Sequence, residues 1–101
     1  MGVFIVNNMT IHERAAYDEY LRQFMAVFLQ FNGEVLAAQE APVAIEGQWP
    51  FDRTVLLRFP SRADAFAWSS SPQYQAIAKH RIAGTRSNVV MLDGLAQPGV
   101  R

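Results

Sequence analysis

The stretch Arg53-Thr54-Val55-Leu56-Leu57-Arg58-Phe59-Pro60-Ser61 decides how the chain is read. A run of β-branched, aliphatic and aromatic residues ends at a proline, and a helix-capping serine follows. Side chains on a strand alternate between two faces. Val55, Leu57 and Phe59 therefore point one way, and Thr54, Leu56 and Arg58 the other. A sheet with one wet face should alternate cleanly between apolar and polar, and Leu56 breaks that rule. Working outward, the same property recurs. Val3 and Ile5 oppose Phe4 and Val6, and Val89-Val90-Met91-Leu92 is apolar on both sides. A sheet with two apolar faces is expected.

The flanking segments supply the remaining elements. Ser61 caps a helix with Asp64 in its first turn. Ser69-Ser70-Ser71-Pro72 then puts a proline at the first position of a further piece. The second helical region is thus predicted over 61–69 and 72–83, with Tyr74, Ile77 and Ala78 facing inward and Gly84 stopping it. Near the N-terminus, 3–8 reads as the first strand. Thr10-Ile11-His12-Glu13 has the form of a capping box, the Thr10 hydroxyl accepting from the Glu13 N–H. A long helix follows, because Tyr17, Tyr20, Leu21, Phe24, Val27, Phe28 and Phe31 recur at spacings of three and four. Asn32-Gly33 supplies the left-handed residue that ends it. A second strand is read over 34–39 and a connection over 40–52, with a short extended piece at 43–46. Arg53–Phe59 is the third strand and 89–92 the last.

The order β-α-β-β-α-β predicts an α+β, ferredoxin-like fold: a four-stranded antiparallel sheet with two helical regions on one face. The first and third strands are expected in the centre, parallel to each other, with the second and fourth at the edges. Residues 1–95 form a single domain and 96–101 a C-terminal tail. The helices account for one apolar face. A buried Leu or Phe is worth about 1.5–3 kcal/mol over its exposed state, and a wet apolar patch marks an interface. A second copy packed across the open face is the simplest cover, making a homodimer; the alternative is that the 40–52 connection folds over it.

Composition bounds the partners. The chain has 101 residues, is half hydrophobic and 18% charged, and its nine acidic and nine basic residues cancel. That is a globular composition without the basic face that nucleic acid demands. No cysteine is present, which removes disulfides and thiolate metal sites. The apolar N-terminal run is short and lacks a basic leader, so it reads as a strand and not a signal peptide. No run approaches the roughly 20 apolar residues of a membrane span. No nucleic acid, no membrane and a cytoplasmic location are expected.

With the central strands parallel, one sheet edge would gather Asn7, Asn8, His12, Arg58, His80, Arg81, Ser87 and Asn88. Trp68 and Tyr74 would close the space between helix and sheet. The candidate ligand-binding residues are Asn8, Arg58, Trp68, Tyr74, His80, Arg81 and Asn88, with His80 and Arg58 as catalytic candidates. An arginine suits an anionic or carbonyl ligand and a histidine acid–base work. Arg58 stands out because a charge inside an apolar strand needs a partner, either a ligand or a carboxylate across the dimer interface. The plainer alternative is that Arg81 pairs with a carboxylate, His80 lies on a solvated helix face and the asparagines cap strand ends. No metal site is expected. His12 and His80 are the only histidines, and His12-Glu13 lacks the second histidine of a zinc motif. No nucleophile elbow, phosphate loop or dinucleotide fingerprint occurs, so no cofactor is expected. Trp49, between Gly47 and Pro50, reads as a core or interface aromatic or a pocket lid.

Several segments also fall in a familiar order: Gly33-Glu34-Val35-Leu36-Ala37, Glu46-Gly47-Gln48-Trp49, Val55-Leu56-Leu57-Arg58-Phe59-Pro60-Ser61, Ala67-Trp68, Ser71-Pro72-Gln73-Tyr74-Gln75, Arg81, Ser87-Asn88 and Asp93-Gly94. Over about residues 2–95 the chain resembles the domain of unknown function 1330 family within the dimeric α+β barrel superfamily. The resemblance implies a ferredoxin-like protomer and a dimer made by sheet-to-sheet packing, and it implies no reaction. The superfamily includes cofactor-free monooxygenases, haem-degrading enzymes, lactone isomerases and amino-acid-binding regulatory domains. Three functions follow as expectations. The first is a dimer that binds a small molecule in a helix–sheet pocket without catalysis. The second is a cofactor-free enzyme, of monooxygenase or isomerase type, acting on a small organic substrate. The third is a metabolite-sensing module.

Overall fold

The computed structural model describes residues 2–95; the expected tail at 96–101 lies outside the described residues. The chain forms β1 (Val3–Ile11), α1 (Arg14–Phe28), β2 (Glu34–Glu40), β3 (Arg53–Phe59), α2 (Arg62–Ser69), α3 (Pro72–Gly84) and β4 (Thr85–Asp93). The sheet order is β2-β3-β1-β4, every neighbour antiparallel. The fold is therefore the expected α+β arrangement of a four-stranded antiparallel sheet with its helices packed on one face.

One expectation about the centre is overturned. β1 and β3 run antiparallel, with Val3 opposite Phe59 and Met9 opposite Arg53. The strands that α1 connects, β1 and β2, are parallel, as are β3 and β4, and β3 is inserted between β1 and β2, antiparallel to both. The C-terminal end of β1 thus lies beside the start of β3. Asn8 faces Thr54, whereas Arg58 faces Phe4 at the opposite end of the sheet.

Several boundaries move for identifiable reasons. β1 runs on to Ile11 because Thr10 and Ile11 pair with Arg86 and Thr85. Thr10 is therefore a ladder residue and not a helix cap; Glu13 takes the capping position without a side-chain bond. The Gly84 carbonyl holds this corner instead, accepting from the His12 and Glu13 N–H groups at 3.0 Å each. The same ladder starts β4 at Thr85, well before 89. α1 ends at Phe28 with Leu29 still right-handed. Gly33 is not left-handed, since among the described glycines only Gly47 has a positive φ. Gly33 is required for space: a Cβ there would sit 2.4 Å from Phe28 Cζ and 2.7 Å from Phe59 Cε1. The expected extended piece at 43–46 is irregular, and it carries Val43 and Ile45 out into solvent at 82% and 99% exposure.

The two serine caps hold as expected. Ser61 accepts from the Asp64 N–H at 3.1 Å and Ser71 from the Tyr74 N–H at 3.0 Å. The faces also separate by parity. Val3, Ile5, Met9, Leu57 and Phe59 are buried against Tyr17, Phe28, Trp68, Tyr74 and Ile77. On the other face Phe4, Val6 and Leu56 are half-buried, while Val90 and Leu92 stay 54% and 53% exposed. From the connecting segment, Trp49 reaches this face, donating to Thr54 Oγ1 at 3.2 Å. It covers one end of the face and leaves the β4 side bare.

Candidate functional site

A cavity of about 200 Å³ lies between the helices and the sheet. Its floor is built by parity. Ile5, Asn7 and Met9 of β1 and Arg53, Val55 and Leu57 of β3 all point toward the helices. Its roof is built by helical periodicity. Tyr17, Tyr20, Leu21 and Phe24 come from the inward stripe of α1. On α3, Tyr74, Ile77, Ala78 and Arg81 share a stripe of spacing three, four and seven, and Tyr74 and Arg81 reach the cavity.

The break between α2 and α3 sets the remaining wall. The Ser71 hydroxyl donates to the Trp68 carbonyl at 2.8 Å while accepting from the Tyr74 N–H. One side chain thus ties the two helices. It brings the Trp68 and Tyr74 rings to 4.2 Å between centroids.

The polar groups of the site are few: three buried tyrosines and the partly buried Asn7, Ser69, Arg53 and Arg81. The Tyr20 and Tyr74 hydroxyls are hydrogen-bonded at 2.9 Å. The Arg81 guanidinium lies over the Tyr20 ring and the Arg53 guanidinium over the Tyr17 ring, each 5.8 Å from the centroid. Burial pushes the Tyr20 hydroxyl far above its ordinary value of 10, and the neighbouring Tyr74 adds to the shift. Burial also raises Tyr17, against the opposing pull of Arg53. Both phenols stay neutral through the physiological range.

Four side-chain atoms in the described residues are buried without a protein hydrogen-bond partner: Asn7 Oδ1, Arg53 Nε, Trp68 Nε1 and Arg81 Nε. All four residues line this one cavity. The atoms themselves are shielded from the cavity by their own side chains and neighbours, and an unsatisfied buried group costs about 1–3 kcal/mol. The charges are also unbalanced. Arg53 lies 3.7 Å from Glu40, which Arg14 also engages. Among the described residues Arg81 forms no ion pair within 4.0 Å, and no Asp, Glu or His lines the cavity.

Three of the residues expected at the site, Trp68, Tyr74 and Arg81, come together here. The other four do not. Asn8 sits on the open face, where its Oδ1 accepts from Thr54 at 3.1 Å and its carbonyl from Asn88 Nδ2 at 3.4 Å. Arg58 is sent to the far end of the sheet by the antiparallel pairing. It finds a carboxylate within its own chain, Glu34 at 2.9 Å. His80 falls off the inward stripe of α3 and is half-buried beside α1, close enough to act on the Glu19 charge.

The residues passed over were Arg53, Tyr17 and Tyr20, together with Asn7, which was grouped at the expected edge without being singled out. Parity was the available signal: Asn7 shares a face with Ile5, and Arg53 with Val55 and Leu57. The tyrosines carried a signal too, since a purely packing stripe has no use for hydroxyls that need partners. A second, shallower depression is lined by Ile11, Arg14, Glu40, Ala41, Phe51 and Asp52. Its polar groups are engaged with one another, Arg14 with Glu40 and Asp52 with the Ile11 N–H. Among the described residues no cluster of His, Cys, Asp or Glu could hold a metal ion, and no helix is long and apolar enough to cross a membrane.

Comparison with known proteins agrees with this architecture. The Domain of unknown function (DUF1330) family model matches residues 2–95. The chain is similar to a solved protein of unknown function from Rhodopseudomonas palustris, with 21% identity, 95% of this chain and 84% of that one covered, and a TM-score of 0.79. It is similar to a dimeric ferredoxin-like protein of unknown function from Jannaschia, at 17% identity over 93% and 100% of the two chains with a TM-score of 0.68. It is also similar to SnoaB, a cofactor-independent oxygenase from Streptomyces nogalater, at 13% identity over 97% of each chain with a TM-score of 0.68. Identities this low show a shared fold. No curated protein matches.

Proposed function

The chain belongs to the domain of unknown function (DUF1330) family, and from that premise we propose that it binds a small organic molecule between its helices and sheet, as one half of a homodimer. The observation that carries the binding is a cavity of about 200 Å³ walled by aromatic and aliphatic side chains, into which only a few polar side chains, among them Asn7, Arg53 and Arg81, converge.

The second reading, a cofactor-free enzyme, draws on the shared fold with SnoaB. Chemistry of that kind needs a positioned group to take a proton from the substrate. The cavity lining offers neither carboxylate nor imidazole, and burial holds the Tyr17 and Tyr20 phenols neutral. Binding is therefore favoured over turnover.

Tryptophan fluorescence of a Trp49→Phe background, in which Trp68 alone reports, tests the binding. Phenol should produce a saturable change, and Val55→Phe, which fills the floor, should abolish it without loss of stability. A response to neither phenol nor benzoate in the first protein, or one untouched by Val55→Phe, would sink the reading.

The dimer is supported by the apolar run of Phe4, Val6, Leu56, Val90 and Leu92 on the open face and by the dimeric state described for the Jannaschia relative. Sedimentation at low micromolar concentration should give a dimer, and a stable monomer would refute it.

A further inference from the structure

We infer that the ligand is a monoanion built on one ring, of benzoate size, with its carboxylate on Arg81 and its ring against Trp68 and Tyr74. The inference rests on the small-molecule reading above and adds the chemical class. Size bounds it first. A dry cavity of about 150 Å³ takes benzene, and drug-sized ligands need about 300 Å³ or more. The 200 Å³ here holds one ring with one short substituent.

Hydrogen-bond polarity comes next. Donors dominate the polar lining, with the Arg53 and Arg81 guanidinium groups and the Trp68 indole set against one amide, Asn7. They call for an acceptor, and a carboxylate offers about four lone-pair sites. The tyrosine pair adds another donor. Tyr20 and Tyr74 share one hydroxyl hydrogen in their 2.9 Å bond, and arginine accepts nothing. The second hydroxyl hydrogen is left free for the same anion.

Charge decides between one anionic group and two. Arg53 already has Glu40 at 3.7 Å, whereas Arg81 has no carboxylate partner among the described residues. One positive charge inside the cavity is uncompensated, so one negative charge completes it. A dianion would bring its second carboxylate toward Glu40. An amine would offer these donors no acceptor and be repelled by both arginines.

Calorimetry on the full chain with benzoate, its neutral isostere benzamide, the cation benzylamine and the dianion terephthalate tests the class. A charge-assisted bond is roughly twice as strong as a neutral one, so benzoate should bind at least about tenfold tighter than benzamide. Terephthalate should bind more weakly than benzoate, and benzylamine not at all. In Arg81→Met the benzoate preference should disappear while benzamide binding remains. Equal binding of benzoate and benzamide to the unaltered protein overturns the class and leaves small-molecule binding standing. So does a preference that survives in Arg81→Met. Failure of all four probes overturns both readings. The first comparison needs no variant, so misfolding of Arg81→Met would not shield the inference.

Discussion

Gly33→Ala should destabilise the protein, although no unusual backbone angle requires the glycine. Removing a glycine from an ordinary backbone position normally stabilises by about 0.4–1 kcal/mol, through the unfolded state. Here the added Cβ would lie 2.4 Å from Phe28 Cζ and 2.7 and 2.8 Å from Phe59 Cε1 and Cζ. Ordinary contact begins at 3.4 Å, so the Phe28 ring must retreat by about 1 Å, in a core packed near crystal density. Neither ring has anywhere to go, since they are 1% and 0% exposed and in edge contact with each other. Overpacking of this kind costs about 1–3 kcal/mol. Set against the unfolded-state gain, the net loss is on the order of 1–2 kcal/mol. For a domain of this size that lowers the melting temperature by roughly 5–15 °C, read by circular dichroism. Gly33→Asn, which a left-handed cap would tolerate, should be at least as damaging. Phe28→Leu combined with Gly33→Ala should show a coupling of at least about 0.5 kcal/mol. A Gly33→Ala protein as stable as the parent, or an asparagine tolerated where alanine is not, would refute the close-approach account.

Val90→Glu places a charge on the open face at a position half exposed in the single chain; sedimentation should show monomers, with a melting temperature lowered by loss of the dimer's contribution, and a persistent dimer would locate the interface elsewhere. In acid, Arg14 holds the Glu40 carboxyl below its ordinary 4.5, and Arg62 holds Asp93 below 3.8. Depressed values contribute stability above the unfolded pKa and lose it as pH falls through the folded one. Urea midpoints should therefore be flat near neutrality and decline below about pH 4.5, modestly because both pairs are exposed, and Glu40→Gln should flatten part of the decline. In alkali the raised Tyr20 value acts oppositely: above about pH 10 the unfolded chain loses a proton that the folded one keeps, so stability falls. Tyr20→Phe should delay that fall, and an unchanged alkaline limb would show that Tyr20 ionises freely.

Much of the fold was legible because period two and period three to four are written in the residues. The parity of Val55, Leu57 and Phe59 against Thr54, Leu56 and Arg58 survives unchanged in the sheet. Ser61 and Ser71 cap as their neighbours required. The site was half legible. Trp68, Tyr74 and Arg81 follow from helix faces, which are local. Arg58 was misplaced because strand direction is a long-range property, and taking β1 and β3 as parallel moved it to the wrong end. Asn8 was preferred to Asn7 for lack of the parity test that had worked on β3. The Arg53–Glu40 approach and the Phe59 ring beside Gly33 depend on how separate strands meet, and no local pattern announces them.

The β1–β4 ladder has a consequence in time. It joins Val3 to Asp93, so a central strand made early waits for the last strand to be made. Contacts of such long range slow folding and leave an apolar strand unpaired during synthesis. α2 and α3 can dock Trp68 on Tyr74 through their shared serine while the chain is still growing. The floor beneath them, with Val89 at its β4 edge, is complete only after residue 93 has joined the sheet. Ligand binding would therefore report the finished chain, and loss of the last strand should silence it before the helices melt.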